Sequence, residues 1–208
     1  MQNFLKKTYL WLAFSLIITS ITCDILSGEL FLEYFTSNGS YNWNYWLLFI
    51  LLFVLTFVQE YLSKQPEIIQ GLVLGLFSVC YGITLTPIGM IYSSESILIT
   101  LSVTIIMFIS LSVYSWITKR DVSGWGGFLF LALIGMVLAC IINMFLKSTF
   151  LYYIISMIGV VVYSGLIIYE TNGIKRGIYS SPVSAALNIY ITFVGLFLNL
   201  LRLLGGKD

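Results

Sequence analysis

Seven long apolar runs, broken by short polar segments, carry the chain from end to end: residues 9–27, 43–62, 68–92, 97–118, 124–146, 150–170 and 184–204. A helix needs roughly 20 mostly apolar residues to cross a bilayer, and each run has about that length. The pattern predicts an all-α membrane protein, a seven-transmembrane-helix bundle forming one polytopic membrane domain over residues 1–208. Short loops predict that sequence neighbours pack antiparallel. The last run is expected to cross fully, with a re-entrant or interfacial helix as the alternative. No clear internal repeat stands out, which argues against an inverted-repeat transporter.

Within three runs, polar and small residues line up at helical spacing. In the third, Gly71, Gly75, Ser78, Gly82, Thr86 and Gly89 fall on one narrow arc. Small residues allow helices to approach closely in lipid, so packing is the favoured reading. Pro87 lacks an N–H and should bend this helix. In the seventh run, Asn188, Thr192, Gly195, Asn199 and Arg202 share a face spanning about 80° at 100° per residue. Polar side chains are costly against lipid, so this face is expected to look into the bundle. Interhelical glue and a polar pathway both fit it. In the sixth run, Tyr152, Ser156, Gly159, Tyr163 and Glu170 form a further stripe. Glu170 reads either as an interfacial charge neutralised by Lys175 or Arg176, or as a titratable carboxylate facing the seventh helix and attracting cations.

Composition supports lipid as the solvent: 59% of residues are hydrophobic and 9% charged, against roughly a quarter charged in soluble domains. Mean hydropathy is +0.99. The net charge of +1 and the absence of a basic stripe argue against nucleic acid as a partner. Cys23, Cys80 and Cys140 form no CxxC pair and read as packing residues. The chain has no histidine, which removes zinc-protease motifs, Ser–His dyads and histidine pH switches. Asp24, Asp121 and Asp208 lie at span ends or tails, so no aspartyl dyad forms at depth. An enzyme is therefore not expected. The first run lacks an A-x-A-like cleavage site and reads as a retained span. With the N-terminus inside, inner segments hold Lys6, Lys7, Lys64, Lys119, Arg120, Lys175 and Arg176, and outer segments hold Lys147, Arg202 and Lys207. The excess of cations inside favours this orientation. Tyr41, Trp43, Tyr45 and Trp46 then form part of an outer aromatic belt, and Trp116 and Trp125 part of an inner one.

Four segments in order, "YGITLTPI", "TKRDVSGWGGFLF", "YETNGIK" and "AALNIYITFVGLFLNLLRLLG", resemble the Bax inhibitor-1 (transmembrane BAX inhibitor motif) family. The resemblance runs from about Ile68 to the C-terminus. It implies a bundle with the last helix central and wrapped by the other six. It also implies a role in calcium leak and in stress and cell-death regulation; some bacterial relatives modulate a membrane-bound AAA protease. The family's site is a pair of aspartates that share protons, sense pH and gate the leak, since two adjacent carboxylates cannot both ionise cheaply. The first falls on Glu170 and the second on Thr192, so this chain has a reduced Glu–Thr version with one charge. Weak calcium binding at Glu170 is the expected metal chemistry, with no other cofactor. Asn188 and Asn199 join the expected ion pathway. Lys64, at the family's basic gating position, is a candidate gating cation with Lys175 and Arg176. Gly71, Gly75, Gly82, Pro87 and Gly195 are expected packing positions. The resulting expectation is a pH-influenced calcium or cation leak channel, with the lipid bilayer and cations as partners. The alternative is a non-conducting regulator of a membrane-bound protease. The compact loops and short N-terminal segment place it in a bacterial inner membrane, with its N-terminus cytoplasmic.

Overall fold

The structure, a computed structural model, describes residues 2–26, 29–37 and 40–206. Among these, seven helices are long and apolar enough to cross a membrane. The elements divide into two compact units.

The first unit contains residues 1–93 and 179–190. Its helices are α1 (Gln2–Ile25), α2 (Glu29–Phe35), α3 (Trp43–Tyr61), α4 (Glu67–Leu85) and α5 (Ile88–Ile91). A 3-10 turn, Leu62–Lys64, joins α3 to α4. α1 and α4 run parallel, with matched contacts along their length. Lys7 Nζ meets Glu67 Oε2 at 2.5 Å, Trp11 covers Gly71, and Thr22 lies against Gly82. α3 is antiparallel to α4: Tyr45 near its start donates to the Thr84 carbonyl near the end of α4 at 3.2 Å.

The second unit contains residues 94–178 and 191–207. It is built from α6 (Ser94–Ile117), α7 (Trp125–Leu146) and α8 (Thr149–Lys175). α6 and α8 run parallel, tied by Ser115 Oγ donating to the Ile168 carbonyl at 2.8 Å. α7 is antiparallel to α8, with Tyr169 against Gly126 and Leu129 against Gly165. The same three-helix arrangement, first parallel to third and second antiparallel to it, thus recurs in both units. No sequence similarity announced this repeat, because it lies in packing direction rather than in residue identity.

α9 (Pro182–Leu204) contributes its first half to the first unit and its second half to the second. Of its most apolar window 78% is buried, against 6% for α7 and 39% for the α4 segment. Ser181 begins it by accepting from Val183 N–H at 3.1 Å, with Pro182 at the first helical position, where the missing N–H costs nothing.

Two boundaries are corrected. α1 starts at Gln2 rather than at residue 9, because Lys6 and Lys7 fit helical surface positions; the end expected at Ser27 lies outside the described residues. The architecture is all-α as expected, and a two-residue antiparallel pair, β1 (Thr36–Ser37) with β2 (Ser40–Tyr41), is a detail of the loop before α3. The bend expected at Pro87 is present: α4 stops at Leu85 and α5 restarts at Ile88, while Thr86 and Pro87 between them keep helical dihedrals. α8 does not end at Glu170 but runs five residues further to Lys175. Its stop is Gly177, at φ +72°. There Ile178 N–H donates to the Gly173 carbonyl at 3.1 Å, and Gly177 N–H to the Ile174 carbonyl at 3.0 Å, the paired bonds of a left-handed helix cap. Lys207 and Asp208 lie outside the described residues.

Candidate functional site

Inside the second unit the polar stripes of α8 and α9 meet. Tyr163 closes on Gly195 and Asn199 closes on Gly159, so each glycine receives a polar side chain from the opposite helix. At the far end of this seam the Arg202 guanidinium lies over the Tyr152 ring, 5.7 Å from its centroid. These contacts share one antiparallel register. Continued along the helices, it brings Thr192 level with Leu166, one turn along α8 from Glu170. Thr192 and Asn199 are buried. Asn199 Nδ2 donates to the Gly195 carbonyl of its own helix at 2.7 Å, while its Oδ1 is buried without a hydrogen-bond partner.

Glu170 shares the seam face of α8 with Tyr163 and Gly159, and its Oε2 is likewise buried and unpartnered. The next two residues add Thr171 Oγ1 and Asn172 Oδ1 to the buried oxygens lacking a partner. α6, parallel to α8, adds Thr100 Oγ1 and Ser112 Oγ. Among the described residues no three His, Cys, Asp or Glu side chains gather as a metal cage. Thr171 and Asn172 lie about 100° and 200° around the α8 axis from Glu170, so Glu170 supplies the one carboxylate on this face of α8.

Of the two readings of Glu170, an ion pair with Lys175 or Arg176 is not formed. Because α8 continues as a helix, Lys175 lies about 140° around the axis from Glu170. Its Nζ instead donates to the Trp116 and Thr118 carbonyls, both at 3.0 Å, capping the end of α6. Arg176 stands 3.6 Å from Asp121. Asp121 also accepts from Ser123 N–H at 2.8 Å. That backbone bond is the larger cause, and the Arg176 charge a smaller one, of a carboxyl held below its usual value.

The remaining expected residues belong to the first unit. Asn188 Nδ2 donates to the Ser184 carbonyl at 3.0 Å. Lys64 is exposed in the 3-10 turn. Gly71 and Gly82 make close contacts, the Thr22 Cβ standing 2.7 Å from where a β-carbon on Gly82 would lie, whereas a β-carbon on Gly75 would have its nearest neighbour, the Ile18 side chain, at 3.9 Å. A node unnoticed in the sequence lies between them. The Thr19 and Tyr190 hydroxyls are 2.6 Å apart, Thr19 reaches the Ser78 carbonyl at 3.2 Å, and Tyr190 is fully buried against Phe77 and Tyr81.

Sequence reading also passed over the α6 face of Thr100, Thr104, Ser112 and Ser115, all buried. Its spacing near four residues was a usable signal, masked by the hydroxyl residues spread over other faces of the same run. Gln59 is 1% exposed with both amide atoms unpartnered; a single amide beside Glu60 at the end of a run carried no pattern.

The family described as inhibitor of apoptosis-promoting Bax1 matches residues 1–208. The inner membrane protein YbhL of Escherichia coli (strain K12) is 30% identical over 219 aligned positions, covering 100% of this chain and 93% of that protein. An uncharacterized protein of Helicobacter pylori is 31% identical over 207 positions, covering 98% and 86% respectively. One from Borreliella burgdorferi is 36% identical over 142 positions, covering 64% and 61%.

Proposed function

Because the chain belongs to the Bax inhibitor-1 family and is a multi-pass bacterial inner-membrane protein, we propose that it passes calcium or another small cation as a slow leak. In this reading Glu170 is the carboxylate that draws the ion to the α8–α9 seam. The observation that carries it is the state of Glu170: a membrane-embedded carboxylate with a buried, unpartnered oxygen, whose nearest cations in sequence are engaged elsewhere. An ionised side chain at membrane depth is costly, and such groups mark ion and proton pathways more often than they serve packing.

Hard cations take oxygen ligands, and affinity rises with the number of carboxylates. A single carboxylate favours weak binding and release, as passage requires. Thr192, standing where the family has its second aspartate, removes one charge and one titrating group. Protonation of Glu170 neutralises the attraction, so pH influences the leak through a single step. In the resting arrangement Tyr163 on Gly195 and Asn199 on Gly159 close the seam, and opening requires these two contacts to part.

The test is calcium entry into dye-loaded liposomes containing purified protein. Wild type should leak slowly, and Glu170→Gln, nearly equal in volume, should lower the rate several-fold. An unchanged rate in that variant sinks the role of Glu170. A wild type that passes no cation sinks the leak itself and leaves regulation of a membrane partner, such as a protease, as the reading to pursue.

A further inference from the structure

The α8–α9 seam carries opposite charges at its two ends. Glu170 lies at one, and Arg202 at the other, with Tyr163, Gly195, Gly159 and Asn199 between them. Arg202 would serve an ordinary interfacial role if its guanidinium extended away toward headgroups and complemented the carbonyl end of α9. It is instead folded over the Tyr152 ring of α8, which keeps its charge on the seam. Among the described residues it makes no ion pair. Among the described residues, the other charged side chains at that end of the unit are Glu95 at the start of α6 and Lys147 after α7; both are exposed and neither pairs with it. The ring supplies attraction through its face without cancelling the charge, as a carboxylate would.

A fixed positive charge beside a path through low dielectric repels cations in proportion to their own charge. We infer that Arg202, held by Tyr152, is an electrostatic barrier that discriminates against divalent cations relative to monovalent ones. It keeps the calcium leak small while Glu170 excludes anions. This inference rests on the leak reading and adds to it a second residue with a distinct effect. Because the repulsion energy doubles for a divalent ion, removing the charge should multiply calcium flux by about the square of the factor by which it multiplies potassium flux.

The experiment measures calcium and potassium efflux in parallel from liposomes containing the full chain. Arg202→Gln should raise the calcium-to-potassium flux ratio several-fold, and Arg202→Lys, which keeps the charge, should leave the ratio near wild type. If Arg202→Gln does not yield folded protein, Tyr152→Leu takes its place. It leaves the guanidinium free to turn to the headgroups and should raise the same ratio. Equal increases for both ions, or an unchanged ratio, overturn the inference and mark Arg202 as an anchor only, while the leak reading still stands on Glu170→Gln. A wild type passing neither ion removes both readings together.

Discussion

At the scale of single residues, one substituted charge and a few glycines set the behaviour expected of the seam. With Glu170 the sole carboxylate on it, the pH profile of cation flux should fit one titration. Introducing Thr192→Asp places a second carboxylate about one turn away, close enough for the two to titrate as a coupled pair. The flux profile of that variant should broaden into two steps and its calcium dependence should steepen. A profile identical to wild type would show that α9 at this level does not act with Glu170. The glycines separate by the same logic of contact. A methyl at Gly195 meets the Tyr163 ring, whereas a methyl at Gly75 finds its nearest neighbour at 3.9 Å. Gly195→Ala should therefore cost ~1–3 kcal/mol through overpacking, and Gly75→Ala should cost close to nothing. Thermal unfolding in detergent of the two variants, side by side, tests the contrast.

At the scale of elements, the end of α8 is the point where sequence and structure part most instructively. The apolar run does end near Glu170, so a reading by hydropathy stops there. The helix continues because its backbone obeys capping chemistry rather than hydropathy: Lys175 and Arg176 suit the carbonyl end, and Gly177 supplies the left-handed residue. "KRG" was the signal that could have moved the boundary. Those five extra residues turn Lys175 and Arg176 off the Glu170 face and onto the α6–α7 connection. They also explain why Glu170 lacks the neutralising partner that proximity in sequence suggested. The α8 and α9 stripes, by contrast, were legible, since a costly polar face in lipid must find a protein neighbour. The Asp121–Arg176 contact carries its own pH sign. A carboxyl held below its usual value adds stability above roughly pH 4, its unfolded value, and loses it as pH falls through the lower folded value. Asp121 is exposed, so the effect is small. The unfolding temperatures of wild type and Asp121→Asn should differ slightly near neutrality and converge in acid; a difference that persists in acid would point to another cause.

For the whole molecule, seven helices long and apolar enough to cross and an excess of cations on alternate connections were readable from hydropathy and charge alone. Both are bulk properties, averaged over twenty or more residues, and do not depend on any one contact. The recurring three-helix arrangement was not readable. Parallel pairing of the first helix with the third is decided by interlocking small residues such as Gly71 and Gly82 with Trp11 and Thr22, and equivalent contacts in the other unit use different residue types. Orientation makes the remaining whole-molecule prediction. If Lys and Arg hold their connections inside, the 3-10 turn with Lys64 faces the cytoplasm, while Lys147 after α7 faces outward. An odd number of crossings also puts the exposed Gly206 outside. All three sites are exposed, so single cysteines there should react freely with a thiol reagent from the side they face. The native Cys23, Cys80 and Cys140, half-buried or buried, would be replaced first. In intact cells with the outer membrane made permeable, a membrane-impermeant reagent should label Lys147→Cys and Gly206→Cys and leave Lys64→Cys unlabelled until the inner membrane is opened. Labelling of Lys64→Cys in intact cells would reverse the orientation. It would then put Glu170 at the outer face and Arg202 at the inner one, exchanging the sides from which each charge first meets an incoming ion.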